Sequence, residues 1–177
     1  ITPSDNTVSL AKLTATGTKD ATTFLRGDNT FASAGGTNTP SFSAVKNANQ
    51  NLSDAVTAKI TFETEEFDTD SAFASSRFTV PSGKAGKYLI SSSLFFTHTS
   101  PNSLYTINNF IYKNGSQVKA DNTYLNYGYT QHTMQVVALL DLSASDYIEI
   151  YGASNSNGNT PKVEQNNATF FSGFKLL

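Results

Sequence analysis

The side chains in this sequence that could do acid–base or nucleophilic work are few, and none is spaced for it. His98 and His132 are its two imidazoles in 177 residues. Neither belongs to a recognisable nucleophile motif with a serine or an acid, and no nucleophile-elbow glycine pattern occurs. Hydrogen bonding at a surface or interface is the expected role for both rings. Glu63-Thr64-Glu65-Glu66-Phe67-Asp68-Thr69-Asp70 is the one acidic run. Oxygen-rich runs can hold calcium, but this one lacks the glycine spacing of a dedicated loop and reads as a solvated charged loop. No glycine loop that would cradle a phosphate is present. Catalytic residues, cofactor and metal are therefore all expected to be none.

Recognition chemistry is better represented. Tyr124, Tyr127 and Tyr129 lie among Asn, Thr and Gln between Asp121 and Gln131. Tyrosine rings with amide neighbours suit sugar stacking and protein contacts alike, at small cost in side-chain entropy. Their spacing is equally the mark of an ordinary strand face. The long polar loops at 97–103 and 155–167 carry Asn155, Asn157 and Asn159, and loops on a rigid scaffold are where binding usually resides. Tyr124, Tyr127, Asn155, Asn157 and Asn159 are the candidate ligand residues.

Strands have to position these groups. Short β-type runs separated by turn signals are expected at 41–46, 58–62, 77–80, 87–97, 104–113, 117–124, 131–142, 147–153 and 169–177. Asn114-Gly115 is the strongest hairpin signal, because both residues accept the positive φ angles of a type I′ turn. The closing run places Phe171, Gly173 and Lys175 on one face and Phe170, Ser172, Phe174 and Leu176 on the other. So apolar a terminus reads as a locked closing strand, with the small Gly173 facing something close. No convincing helix appears.

Composition bounds the rest. Ser, Thr and Asn make up roughly a third of the chain, well above ordinary globular usage. A net charge of −2 gives no electrostatic case for nucleic acid or an anionic membrane. With no cysteine there are no disulfides or thiolate metal sites. No apolar run approaches the ~20 residues of a membrane-spanning helix. The chain opens on Ile1 rather than Met and shows no secretory leader, so a processed protein or a piece of a longer one is expected. Residues 1–40 carry few large apolar side chains and read as an extended, shaft-like or linker segment. Residues 41–177 read as the head domain.

Taken in order, Phe42-Ser43-Ala44, Ile60-Thr61-Phe62, Arg77-Phe78-Thr79-Val80-Pro81, Gly86-Lys87-Tyr88, Ile111-Tyr112-Lys113-Asn114-Gly115 and Thr169-Phe170-Phe171-Ser172-Gly173-Phe174 resemble the running pattern of the globular heads of the complement first component's q subunit. That resemblance covers residues 41–177 and implies an all-β, tumour-necrosis-factor-like jelly-roll sandwich. It also implies a homotrimer packed about a threefold axis, with aromatic side chains at the centre. Phe95, Phe110, Tyr112, Tyr129, Phe170 and Phe171 are the candidate seam residues. Adjacent aromatics such as Phe95-Phe96 and Phe170-Phe171 point to opposite faces of a strand, so both faces need cover. Family strand order would also bring the two histidines close, where a metal or anion on the axis is the alternative to simple hydrogen bonding. Some relatives in this family bind calcium.

A second resemblance lies in the leader. Thr22-Thr23-Phe24-Leu25-Arg26-Gly27-Asp28-Asn29-Thr30-Phe31 is similar to a motif of bacteriophage tail fibres, with Asn29 and Phe31 where Gly and often Trp are usual. Arg26-Gly27-Asp28 is also a tripeptide that some animal adhesion receptors recognise, but its flanks belong to this motif. Together the resemblances imply a non-enzymatic, trimeric virion appendage on the particle surface. Its head would attach to a host cell-surface polysaccharide or protein, alongside other virion proteins. The alternatives are a capsid decoration and a secreted complement-type pattern-binding module. A polysaccharide depolymerase is disfavoured for want of a recognisable acid pair.

Overall fold

The computed structural model describes residues 14–33, 38–100 and 103–176, the side chains of residues 126 and 127 excepted. Two compact units divide the chain, with the break after Thr37. In the first unit, β1 (Thr23–Leu25) and β2 (Phe31–Ser33) pair antiparallel, where an extended segment was expected. The turn is shaped by Asp28, whose carboxylate accepts the Thr30 hydroxyl at 2.6 Å and the Thr30 N–H at 3.1 Å. Arg26-Gly27-Asp28 therefore belongs to a hairpin whose acid bonds back to its own chain.

The second unit, Asn38–Leu176, is a two-sheet sandwich built from nested hairpins. Its strands are β3 (Ser41–Val45), β4 (Gln50–Asn51), β5 (Ala58–Lys59), β6 (Thr64–Asp68), β7 (Phe73–Ala74), β8 (Arg77–Thr79), β9 (Gly86–Thr97), β10 (Leu104–Lys113), β11 (Ser116–Tyr129), β12 (Gln131–Leu142), β13 (Tyr147–Asn155), β14 (Lys162–Val163) and β15 (Phe170–Lys175). Asn114 at φ 52° and Gly115 at φ 79° make the innermost turn, which pairs β10 with β11. Outside that hairpin β9 pairs β12, then β8 pairs β13, and last β3 pairs β15. Folding the nest over itself gives one sheet in the order β3-β15-β9-β12 and another in the order β8-β13-β10-β11, a jelly roll.

Short strands fill the margins. β14 continues alongside β9 beyond the end of β15 and carries β4 on its far side. β6 adds to β3 as an edge strand. This corrects the reading of Glu63 to Asp70 as a loop. Backbone pairing with β3 holds Thr64–Asp68 in the sheet, and the charged side chains of the run keep a wet edge unattractive to other chains. Glu63 pairs with Lys46 at 3.1 Å, Glu66 accepts from Ser43 Oγ at 2.7 Å and Asp70 pairs with Lys84 at 3.1 Å.

Aromatic rings fill one end of the core. Phe42 stacks on Phe78 and Phe73 at centroid distances of 4.7 and 5.1 Å, and Phe171 meets it edge-on at 4.9 Å. Gly173 sits opposite Phe42 across the β3–β15 pair. A Cβ there would lie 2.8 Å from Ile90 Cδ1, 3.0 Å from Phe42 Cε1 and 3.1 Å from the Leu89 carbonyl oxygen. Because one of those atoms is backbone, Gly173→Ala is expected to cost about 1–3 kcal/mol of stability, the range for an overpacked core. A urea unfolding curve measures it, and an unchanged midpoint would show that the rings give way freely. Further along, buried Asn109 on β10 donates across the core to the carbonyls of Ser92 at 3.2 Å and Met134 at 3.1 Å, tying the two sheets together.

Candidate functional site

Register sorts the candidate side chains onto surfaces. On the outward face of the first sheet, paired residues form three rows: Ser41–Phe174–Leu89–Leu139, Ser43–Ser172–Ser91–Val137 and Val45–Phe170–Ser93–Gln135. Phe95, opposite Thr133, follows on the same face. The alternate residues Ile90, Leu94, Phe96, Met134, Val136 and Phe171 point into the core. Ser43, Ser172 and Ser91 thus run between an apolar trio, Phe174–Leu89–Leu139, on one side and the Val45–Phe170 pair on the other. Val137 and Leu139 leave 53% and 65% of their surface in water. Toward the opposite edge of the same face, Ser41, Ser43, Phe67, Ser172 and Phe174 line a concavity of about 460 Å³.

The expected seam residues do not share one surface. Phe95 and Phe170 lie on this face. Phe171 is fully buried and packs against Phe42, so its assignment to a seam is corrected: it is a core ring. Phe110 and Tyr112 belong to β10 and face outward from the second sheet, on the opposite side of the sandwich. Tyr129, half-exposed at the end of β11, meets the His132 ring edge-on at 5.9 Å.

The candidate ligand residues are partly brought together. Thr106 on β10 is paired with Tyr124 on one side and Asn155 on the other, so those two share a row at one end of the second sheet. Tyr124 is 82% exposed. Tyr127's side chain lies outside the described residues. Asn155 and Asn157, with Tyr105, line a concavity of about 410 Å³. Much of the asparagine chemistry is spent on the loop itself. Asn155 Oδ1 accepts the Asn157 N–H at 3.1 Å, and Asn159 Nδ2 donates to the Ser156 carbonyl at 2.8 Å. Asp54 clamps the same loop by accepting the N–H groups of Ser156 and Gly158. Sequence reasoning missed Tyr105 and Asp54, because a lone tyrosine and a lone aspartate carry no spacing signal.

His98 is buried at the end of β9 and accepts the Ser100 N–H on Nδ1 at 2.8 Å. His132 is paired with Phe96, one strand away. Among the described residues no three His, Cys, Asp or Glu side chains converge on a point where a metal could sit.

The outward face of the second sheet holds the most organised polar cluster. Glu149 on β13 has only 4% of its side chain exposed, and its Oε1 accepts from Lys59 Nζ at 2.8 Å and Arg77 Nε at 2.9 Å. Burial pushes that carboxyl upward, but the lysine and arginine outweigh it and hold the group below its usual range. Tyr151 Oη donates to Oε2 at 3.3 Å. The Tyr151 ring stacks on Tyr112 at 4.1 Å, Phe110 stands edge-on to Tyr112 at 6.5 Å, and Arg77 lies 4.1 Å over the Tyr147 ring.

No family model matches the sequence, and no curated protein matches it. Solved structures do match the fold. Murine APRIL superposes with a TM-score of 0.57 at 13% identity, over 77% of this chain and 98% of that one. The globular domain of zebrafish complement 1qA protein gives 0.54 at 15% identity, over 78% and 98%. The Eiger TNF structure from S. frugiperda gives 0.55 at 14% identity, over 77% and 92%. At such identities the likeness is one of fold, and the fold is the tumour-necrosis-factor and complement type of jelly roll. These neighbours are animal proteins and not bacteriophage proteins, which corrects the expectation of a virion appendage. That expectation rested on the ten residues 22–31, which form a hairpin outside the sandwich.

Proposed function

We propose that the chain is an extracellular, non-catalytic binding module of the complement type that works as a homotrimer. The observation that carries this reading is the outward face of the first sheet. Val137 and Leu139 are well exposed there, Leu89, Phe95, Phe170 and Phe174 are half-buried beside them, and so much apolar surface on one sheet face is more than a soluble monomer ordinarily leaves wet. The face is polarised, with Val137 and Leu139 at the β12 edge and the Phe67–Phe174 concavity at the β3–β6 edge. Contact between one subunit's edge and the next subunit's concavity is head-to-tail, and a head-to-tail contact with the right rotation closes into a ring. Three copies would then present three identical rims carrying Tyr105, Tyr124 and Asn155 to a cell-surface polysaccharide or protein. Weak single contacts would add into avidity.

Light scattering after gel filtration tests the assembly. The expected mass is three times the 19.0 kDa subunit and persists at micromolar dilution. Leu139→Asp places a charge on an exposed residue that the monomer does not need, so it is expected to release folded single subunits. A wild-type protein running as a monomer would overturn the trimer, and release of new reducing ends from a polysaccharide would overturn the non-catalytic role.

A further inference from the structure

We propose that the outward face of the second sheet is a binding platform for an acidic saccharide, in which Arg77 takes the sugar carboxylate and the Tyr112–Tyr151 pair takes the ring. The site stands apart from the oligomeric reading, since one subunit supplies every residue named.

Arg77 is held from two sides. Its Nε donates to Glu149, and its guanidinium plane lies over the Tyr147 ring. Among the described residues its two terminal nitrogens have no acceptor, while 44% of the side chain is open to solvent. A guanidinium fixed by stacking and by one in-plane bond presents the remaining fork at little entropic cost, and that fork matches a carboxylate in two parallel bonds. Charge supports the same ligand sign. Glu149 lies beneath the surface, and the two cations that share it are far more exposed, so the face presents net positive charge outward.

Register places the aromatic part beside the fork. Tyr112 is paired with Glu149, and Phe110 is paired with Tyr151, which is itself paired with Lys59. Two neighbouring rows therefore run from aromatic rings on β10 to cations on β8 and β5. A pyranose lying on the stacked tyrosines would carry its carboxylate toward Arg77. Flat aromatic surface with a polar flank suits the apolar face and hydroxyl rim of a sugar. A purely apolar partner would cover the terminal nitrogens of Arg77 without an acceptor, and a neutral sugar would leave the fork without a carboxylate.

Calorimetric titration of the full chain tests this with three probes: a hyaluronan hexasaccharide for a uronate, sialyllactose for a sialate, and chitohexaose as the neutral control. The expected result is saturable binding of at least one acidic saccharide and none of chitohexaose. Arg77→Lys keeps the pairing with Glu149 but loses the planar fork, and is expected to weaken binding about tenfold or more with an unchanged melting temperature. In the unaltered protein, amide and Arg77 Nε–H resonances at 77, 112, 149 and 151 are expected to shift on titration. Equal binding of the neutral and acidic probes, undiminished affinity in Arg77→Lys, or no binding of either acidic probe at millimolar concentration would each overturn the proposal. None of these outcomes bears on the light-scattering mass, so the two readings fail separately.

Discussion

Replacing Phe42 by alanine is expected to cost the sandwich about 3–5 kcal/mol, the range for truncating a fully packed aromatic ring. The ring is 1% exposed and touches Phe73, Phe78 and Phe171 at once. What decides between the low and high ends of that range is how far the neighbours can move into the space. Here they are poorly placed to do so. Phe171 and Phe78 are fixed by strand pairing in opposite sheets, and the residue facing Phe42 is Gly173, which has no side chain to swing inward. The loss should therefore fall near the top of the range. Against a typical total of about 5–15 kcal/mol, that is a large fraction of the fold. Denaturant unfolding should show a lower midpoint with an unchanged slope. A loss below about 1 kcal/mol would mean that the cluster is not the mechanical centre of the core.

Glu63→Gln should have the next largest effect, and one that depends on pH. Lys46 has 1% of its side chain exposed. Its ammonium donates to Glu63, to the Thr61 hydroxyl and carbonyl, and to Gln50. Burial pulls the lysine below its ordinary value of 10.5, and Glu63 works against that pull. Removing the carboxylate charge leaves a buried cation with neutral partners only. Stranding one member of a fully buried pair costs roughly 3–5 kcal/mol, and the partial exposure of Glu63 lowers the expectation to about 2–3 kcal/mol at pH 7. The sign of the pH effect follows from proton counts. A lysine whose folded value lies below its unfolded value binds fewer protons when folded, so stability rises with pH between the two. The deficit of the variant should accordingly shrink as pH climbs toward 10.5. Unfolding curves at pH 7 and pH 9.5 make the comparison, and a deficit identical at both would refute the buried-charge account.

Long strands were legible because their side chains alternate over many residues. Leu104–Lys113 and Gln131–Leu142 have the bounds their patterns predict, and the Asn114-Gly115 turn lies where its φ preferences demand. Gly173 faces something close, as its place among aromatics implied. Strand β6 was illegible for a physical reason. Both of its faces are largely wet, so no alternation marks it, and only backbone pairing with β3 makes it a strand. Alternation also fails to say which parity points inward. Phe170 and Phe171 were correctly placed on opposite faces, yet nothing local showed that Phe171 was the core ring. The Lys59–Glu149–Arg77 cluster was invisible for a different reason: its cations lie 90 and 72 positions from the acid, and only the nesting of strands brings them together.

The pairing of β3 with β15 has a consequence for biosynthesis. The sandwich's first strand and its last lie side by side, with β15 wedged between β3 and β9. Until Phe170–Lys175 has emerged from the ribosome, β3 has no partner on that side and Phe42 lacks Phe171. Synthesis must therefore run past Lys175 before this sheet can close, and a nascent chain stalled short of Phe170 would wait with two bare strand edges for a chaperone to shield.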